Sequence, residues 1–269
     1  MRRWGSVPVR QQVTRAPRVV LTADDFGLTL AVNEAVERAH REGVLTAASL
    51  MVAGDAAADA IRRAKAMPGL RVGLHLVLVD GPVVLPDGLA PGRVLPNEQV
   101  RLAFRQLLRP RALRREVAAQ FRAFAASGLV LDHANAHKHM HMHPLVARAL
   151  IAEGRHHGLR AVRVPAEPGA GMWCALLRWQ VRAAGLAAPD AVWGLRDSGH
   201  MDTRHTLAVA RRLVPGLNEI YFHPATERDP LLARLMPDYD HLGELEALLS
   251  PEVRAALGPA RRGGYLDLI

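Results

Sequence analysis

Short β-branched runs alternate with segments of helical periodicity along this chain, and this alternation is its strongest constraint on the fold. Strands separated by helices of about 10–15 residues predict right-handed βαβ units and a parallel sheet, either closed as a barrel or open. The predicted elements are, in chain order, strand 18–22, helix 30–42, strand 44–52, helix 55–67, strand 71–79, a helical pair within 98–127 divided at Pro110, a strand opening at 128–131, helix 144–157, a weak strand 161–164, strand 218–222, and one or two short helices within 240–257 before an extended end. Residues 165–204 show no clear order.

Length and composition favour one domain. The chain has 269 residues, of which 49% are hydrophobic, and no repeat or linker divides it. We therefore expect a basic extension at 1–17 and a single domain at 18–269. The uncharged stretch 43–54 is too short to span a membrane. The basic start lacks the apolar core of a signal peptide, and lone Cys174 has no partner for a disulfide. A cytoplasmic protein is the expectation.

The net charge of +9 comes from 35 basic and 26 acidic residues. Only Lys65 and Lys138 are lysines, and the arginines are scattered at helix-like intervals. Because aromatic residues, which stack on bases, make up only 4% of the chain, we predict a solvated arginine surface and no nucleic acid partner. A surface that faces lipid or an acidic substrate is the alternative.

Polar residues follow four of the predicted strands. They are Asp24-Asp25, His75, the histidine tract 133–143 and His223-Pro224. The carboxyl ends of parallel strands meet at one face of the sheet, so these clusters are expected to converge there. Taken singly, each has a structural explanation: a helix-dipole anchor, a core histidine, an incidental metal-binding loop and a turn. Their shared position favours a joint site.

Carboxylate and imidazole groups are ligands for a divalent cation, and one aspartate with two histidines leaves positions open. Asp25, His75 and one or more of His137, His139 and His141 are the candidates. If the tract is extended, its alternate histidines from 137 to 143 lie on one face. They cannot all bind one ion in that geometry, so some must support the ligands, orient substrate or donate protons.

Five motifs occur in an order that resembles a known family. They are Thr-Ala-Asp-Asp-Phe-Gly at 22–27, Thr-Ala-Ala-Ser-Leu-Met-Val at 46–52, Gly-Leu-His-Leu at 73–76, His-Ala-Asn-Ala-His-Lys-His-Met-His at 133–141 and Ile-Tyr-Phe-His-Pro at 220–224. With them the chain resembles, over 18–269, the YdjC-like carbohydrate deacetylases, the chitooligosaccharide deacetylase family, and in particular its hopanoid-biosynthesis-associated branch.

This resemblance implies a fold and a set of roles. The fold is an α/β, distorted (βα) barrel of the polysaccharide-deacetylase-like type, with parallel strands and outer helices. One divalent metal ion, Mg²⁺ or Zn²⁺, is bound by Asp25, His75 and His137, and Asp24 is the general base. Two departures stand out. Asn135 occupies a position where the family often has aspartate, and Val77 and Val79 replace polar residues, which suggests a more apolar substrate.

The expected reaction is hydrolysis of an N-acetyl group on an amino sugar by metal-activated water, with Asp24 taking the proton. His223 or His139 protonates the leaving amine. The expected substrate is an N-acetylglucosaminyl glycolipid (hopanoid) or a chitooligosaccharide. The apolar segment 169–177 is interpreted as a core helix or a lipid-facing surface. Peripheral contact with the inner face of the membrane and a homodimer are further expectations.

Other classes explain part of the pattern. Another mononuclear metal amidohydrolase would use the same ligands, and a histidine-rich metal-binding protein explains the tract but not Asp25 and His75. A dinuclear amidohydrolase barrel would need His-x-His where this chain has Asp24-Asp25. An iron(II) oxygenase usually has an all-β scaffold, which the alternating pattern disfavours.

Overall fold

The protein is described by a computed structural model that covers residues 16–85, 109–167 and 171–269. Within these ranges the strands form one parallel sheet that curls into a half-barrel, in the order β4-β3-β2-β1-β6-β5 with β7 paired to β1. The strands are β1 (Arg18–Phe26), β2 (Ala47–Leu50), β3 (Arg71–Leu76), β4 (Leu131–Ala136), β5 (Ala191–Trp193), β6 (Leu217–Phe222) and β7 (Arg261–Arg262).

Helices surround this sheet, and most begin where a polar side chain or a proline favours a start. They are α1 (Leu30–Arg41), α2 (Ala57–Lys65), α3 (Pro110–Ala126), α4 (Pro144–His156), α5 (Met172–Ala183), α6 (Thr203–Ala210), α7 (Pro230–Leu235), α8 (His241–Leu249), α9 (Pro251–Leu257) and α10 (Tyr265–Leu268). None of these helices is both long and apolar enough to cross a bilayer.

Strand β1 lies at the centre of the sheet, and all but its first residue is buried. A strand covered on both faces needs a nearly continuous apolar run, which Val19, Val20 and Leu21 provide. The pairing with β2 shifts near the carboxyl end, because Ala23 pairs with Ala48 but Phe26 pairs with Leu50. One extra residue is therefore accommodated in β1 as a bulge.

Asp25 lies in this bulge with a left-handed backbone, φ 61°. In a regular strand, adjacent side chains point to opposite faces, so only one of Asp24 and Asp25 would face a given site. The bulge removes that restriction, and both carboxylates lie near His75, 3.9 Å and 3.3 Å from its ring nitrogens. Backbone strain of this kind is concentrated at functional sites.

Several predicted elements need correction. Residues 137–142 form short helical turns with a kink at Lys138 and His139 and not an extended strand. The chain end is not extended throughout, since α10 follows the short β7. Segment 161–164 makes only isolated bridges, through Ala161 and Val162. Residues 165–204, for which the sequence predicted no strands or helices, contain α5 and β5. The first half of the helical pair, the basic extension up to residue 15 and the start of segment 169–177 lie outside the described residues.

Candidate metal centre

Asp25, His75 and His137 come together at the carboxyl ends of β1, β3 and β4, although they are far apart in the chain. One ligand atom from each lies within 4.8 Å of the others. His137 Nδ1 is 3.1 Å and His75 Nε2 is 3.3 Å from Asp25 Oδ1. All three side chains are buried. The structure thus places the three predicted ligands in one compact group.

The hydrogen bonding of this group is incomplete. Among the described residues, neither oxygen of Asp25 has a hydrogen-bond partner, and His137 Nε2 also has none. Burying a charged carboxylate without partners costs several kcal/mol, so native proteins normally pair such a group with a cation. A carboxylate facing two imidazoles fits a divalent ion, and this donor set suits either magnesium or zinc.

Electrostatics favour an ionised Asp25. Burial raises the pKa of Asp25, but the neighbouring His137 and His75 rings outweigh it and hold the pKa well below the usual range. The pKa of His75 is raised, because the charges of Asp24 and Asp25 outweigh the opposing effect of burial. The group thus offers an ionised carboxylate between two imidazoles, and these rings can exchange their protons for a cation.

Asn135 connects the ligand group to Asp24. Its Oδ1 accepts from His75 Nδ1 at 2.7 Å, and its Nδ2 donates to Asp24 Oδ1 at 3.1 Å and to Ser49 Oγ at 3.0 Å. A protonated Nδ1 leaves Nε2 of His75 unprotonated toward Asp25, the tautomer that binds a metal. An ionised aspartate at position 135 could not donate to Asp24. Asparagine, which departs from the family pattern here, therefore provides a hydrogen bond that aspartate would not.

A second buried chain of hydrogen bonds supports Asn135. His133 lies 2.9 Å from Asp132 Oδ2 through Nδ1 and 3.1 Å from Ser49 Oγ through Nε2. A Cβ on Gly73 would come within 2.5 Å of the His133 ring. Glycine in the Gly-Leu-His-Leu motif therefore makes room for this histidine, which orients the groups behind the centre.

Asp24 belongs to a buried ion-pair network that sequence reasoning missed. Arg163 donates to Asp24 Oδ2 at 2.5 Å and Oδ1 at 3.0 Å, and to Glu219 at 2.7 and 3.0 Å. The hydroxyl of Tyr265 also donates to Glu219. Arg163 is fully buried. The only sequence signal was an arginine within a weak apolar run, and its partners lie 139 and 56 residues away.

This network keeps Asp24 ionised and fixed in place. Burial raises the pKa of Asp24, but the charge and hydrogen bonds of Arg163 hold it well below the usual range. Arg163 and Asn135 use three of the four lone-pair positions of the carboxylate. One position on Oδ2 has no donor among the described residues.

The backbone explains why the histidine tract does not present one face. Lys138 and His139 have left-handed φ angles of 52° and 53°. These two consecutive residues turn the chain tightly after β4, whereas a period of two requires extended backbone. The prediction that 137, 139, 141 and 143 share a face was wrong, and each histidine has different surroundings.

Only His137 of these four joins the ligand group. His139 Nε2 lies 3.1 Å from the Tyr221 hydroxyl, and His141 Nε2 donates to the Arg163 carbonyl at 2.9 Å. His143 accepts from the backbone at the start of α4. Burial lowers the pKa of His139 well below its usual value and that of His141 to about 4, so both rings are neutral at pH 7.

His223 lies at the carboxyl end of β6, and its Nδ1 has no hydrogen-bond partner among the described residues. Its Nδ1 is 3.9 Å from Glu244 Oε2. Burial lowers the pKa of His223 to about 4 and raises that of Glu244 to about 8. At neutral pH the histidine is therefore neutral, and the buried carboxyl beside it, which accepts from the backbone N–H groups of His223 and Met201, titrates close to this range.

Val77 and Val79, which depart from the family pattern, are 1% and 2% exposed. Val77 packs in the hydrophobic core. Both valines therefore contribute to packing, and Val77 in particular gives no support to a more apolar substrate.

Comparison with known proteins places the chain among sugar-modifying relatives. It is 39% identical over 131 residues to a carbohydrate deacetylase of Brevibacillus brevis and spans 52% of that protein. It is 35% identical to one of Vibrio cholerae and spans 62% of it. It is 29% identical to one of Vibrio parahaemolyticus, covering 89% of this chain and 91% of the relative. The chain thus spans between half and two thirds of the first two relatives.

A solved structure and a family model complete the comparison. An Enterococcus faecalis protein, described as a candidate cellobiose-phosphate cleavage protein, superposes with a TM-score of 0.77 at 23% identity, covering 94% of this chain and 99% of that one. This likeness confirms the predicted fold. The family model of YdjC-like proteins matches residues 18–258, nearly the whole described domain. The chain is therefore a member of the YdjC-like protein family.

Proposed function

We propose that the protein is a metal-dependent hydrolase that removes the N-acetyl group from an amino sugar. The observation that carries this proposal is the contrast between two consecutive carboxylates. Asp25 faces two histidines with both oxygens unpartnered, while Asp24 is held ionised beside it by Arg163. A cation site next to a fixed base is what amide hydrolysis needs. The names of the Brevibacillus and Vibrio relatives agree with this chemistry.

Asp25, His75 and His137 would hold the ion. When bound, a divalent cation polarises the amide carbonyl and lowers the pKa of water. Asp24 takes a proton from the attacking water through Oδ2. Arg163 keeps Asp24 charged at every working pH and limits its motion, and Asn135 holds its other oxygen. Fixing the base before reaction avoids reorganisation during it.

The leaving amine needs a proton, and His223 is the better of the two predicted donors. Both His139 and His223 are neutral at pH 7 because burial lowers the pKa of each ring. His223 Nδ1, however, lies 3.9 Å from Glu244 Oε2, and burial raises the pKa of this carboxyl to about 8. Glu244 would share a proton with Nδ1 of His223 while Nε2 of the same ring donates its proton to the amine.

Acetate release tests the proposal. Purified protein with Mg²⁺ or Zn²⁺ is offered N-acetylated chitooligosaccharides and N-acetylglucosaminyl glycolipids, and acetate is measured. We expect release by the wild type and its loss in Asp25→Ala, whose ligand set is broken. Wild-type protein that binds one ion but releases no acetate from any of these substrates would overturn the assignment in favour of another amidohydrolase reaction.

We propose further that the preferred substrate is a glycolipid of the hopanoid type, met at the cytoplasmic face of a membrane. Helix α5 supports this proposal. It buries Cys174 and Leu177 but leaves Met172, Trp173 and Trp179 exposed by 78%, 54% and 66%. Exposed tryptophans are typical of lipid interfaces. The net charge of +9 suits an anionic surface.

Vesicle co-sedimentation tests the lipid contact. Trp173→Ala combined with Trp179→Ala should weaken binding to anionic vesicles while leaving chitooligosaccharide turnover unchanged. Val130→Ser is the control, because Val130 is 70% exposed but precedes β4 at the opposite end of the sheet. Unchanged vesicle binding would refute the contact. A mass that doubles with concentration only when both tryptophans are present would show instead that a second copy covers this face.

A further inference from the structure

Asp80 is a buried carboxylate that neither the fold nor the proposed metal centre uses. It is 7% exposed, and no described donor reaches either of its oxygens. Its backbone is left-handed, with φ 51°. An unpaired buried carboxylate and a strained backbone both cost folding free energy. Such costs persist where a residue serves a ligand.

The segment that carries Asp80 is held firmly by helix α3. Gln120 bonds both backbone groups of Val77, accepting from its N–H at 2.9 Å and donating to its carbonyl at 2.6 Å. Glu116 accepts from the backbone of Val84 and Leu85 at 2.8 and 3.0 Å. Two fully buried polar side chains thus fix residues 77–85 at both ends, and the position of Asp80 is built into the fold.

Asp80 also lies on the side of the metal centre. It follows β3, the strand that carries His75, and the charges that act on it are those of Lys138 and His137. Burial raises the pKa of Asp80, and these two groups oppose the increase. It is not part of the compact ligand group, which consists of Asp25, His75 and His137.

We propose that Asp80 recognises the substrate by accepting hydrogen bonds from sugar hydroxyls next to the acetamide. A carboxylate with both oxygens unpartnered is a strong acceptor for hydroxyl groups, and a buried one discriminates against molecules that lack them. This inference rests on the proposed function, because it names how that site selects a sugar. The bound sugar would satisfy the oxygens that the folded chain leaves unpaired.

The test measures sugar binding separately from turnover. Calorimetric titration with N,N′-diacetylchitobiose compares the wild type, Asp80→Asn and Asp80→Ala, each loaded with the same metal. We expect affinity to fall about 10- to 100-fold in Asp80→Ala, and less in Asp80→Asn, which keeps one acceptor oxygen. Hydrolysis of acetanilide, an amide without hydroxyls, should change little in either variant, and metal content should not change.

Thermal unfolding separates recognition from a structural role. Asn accepts a left-handed backbone, so Asp80→Asn removes an unpaired charge at little strain and should raise Tm by a few degrees. Asp132 is the matched control. It is also buried but accepts from His133 and from two backbone N–H groups, so Asp132→Asn should lower Tm.

Equal chitobiose affinity in the wild type and Asp80→Ala, or a lower Tm in Asp80→Asn, would overturn the proposal for Asp80. A wild type that binds no N-acetylated sugar would also overturn this proposal. A wild type that binds chitobiose through Asp80 but releases no acetate would refute the proposed reaction and leave this recognition role in place.

Discussion

Two adjoining groups of buried polar side chains differ in how their charges are paired. In the floor, which comprises Asp24, Arg163, Glu219 and Tyr265, every charged group is paired. In the rim, which comprises Asp25, His137, His223 and Asp80, each side chain has at least one polar atom without a partner among the described residues. Asp24 and Asp25 are consecutive and yet lie on opposite sides of this division. The difference indicates that the floor organises the site and the rim receives ligands.

Among changes that keep the ligand group intact, replacing the proposed base should have the largest effect on activity. Asp24→Asn retains the shape and one acceptor oxygen but not the charge, so kcat should fall about 10²- to 10⁴-fold. Metal content should be unchanged, because Asp24 is not in the ligand group. Acetate release and elemental analysis of the same sample check this. Near wild-type turnover with metal bound would show that Asp24 is not the base.

Removing the central cation of the floor should have the largest effect on stability. Arg163→Met leaves Asp24 and Glu219 buried without their partner, which should cost about 3–5 kcal/mol of unfolding free energy. The matched change in the rim is Asp25→Asn, which tolerates the left-handed backbone and breaks no bond to a buried arginine, so it should destabilise the metal-free chain much less. Urea denaturation of both metal-free variants gives the comparison. Equal destabilisation would erase the distinction between floor and rim.

The sequence predicted the rim better than the floor. The candidate ligands follow predicted strands and belong to chemically distinctive types, so position alone identified Asp25 and His75. It left the third ligand open among His137, His139 and His141, and the family resemblance singled out His137. Arg163 and Glu219 are paired across 56 residues, and nothing local marks a buried arginine. Outside residues 165–204, most of the strands and helices were also predictable, because buried strands have apolar runs. The bulge at Asp25 and the left-handed turn at Lys138 and His139 were not, because they depend on tertiary contacts.

The free energy of unfolding should decrease at acidic pH, because burial lowers the pKa of His141. Its pKa is about 4 in the folded chain, against an ordinary value near 6.5. Between these values the unfolded chain binds more protons, so stability is complete above pH 6.5 and is lost as the pH falls toward 4. This group accounts for roughly 3 kcal/mol of the loss. His141→Gln should flatten the decline measured by urea denaturation at pH 7 and 4.5, and an unchanged decline would contradict this.

The link between floor and rim should have a smaller effect, on metal affinity. Asn135→Ala removes the acceptor of His75 Nδ1 and one of the donors to Asp24. The Kd for the metal should therefore rise about 10- to 100-fold. Asn218→Ala is the control, since Asn218 is equally buried but bonds to Trp193 and Val214, away from the centre. Competition with a chelating dye measures both variants. Equal changes in the two would show that packing, not the link, sets affinity.

The metal content of the purified protein tests the central claim most directly. Wild-type protein, Asp25→Ala and His137→Ala are desalted gently and analysed for divalent metals. One site built from distant strands predicts about one ion per wild-type chain and its loss in both variants. Several ions per chain that survive Asp25→Ala would instead assign metal binding to the histidine tract alone and contradict the hydrolase site.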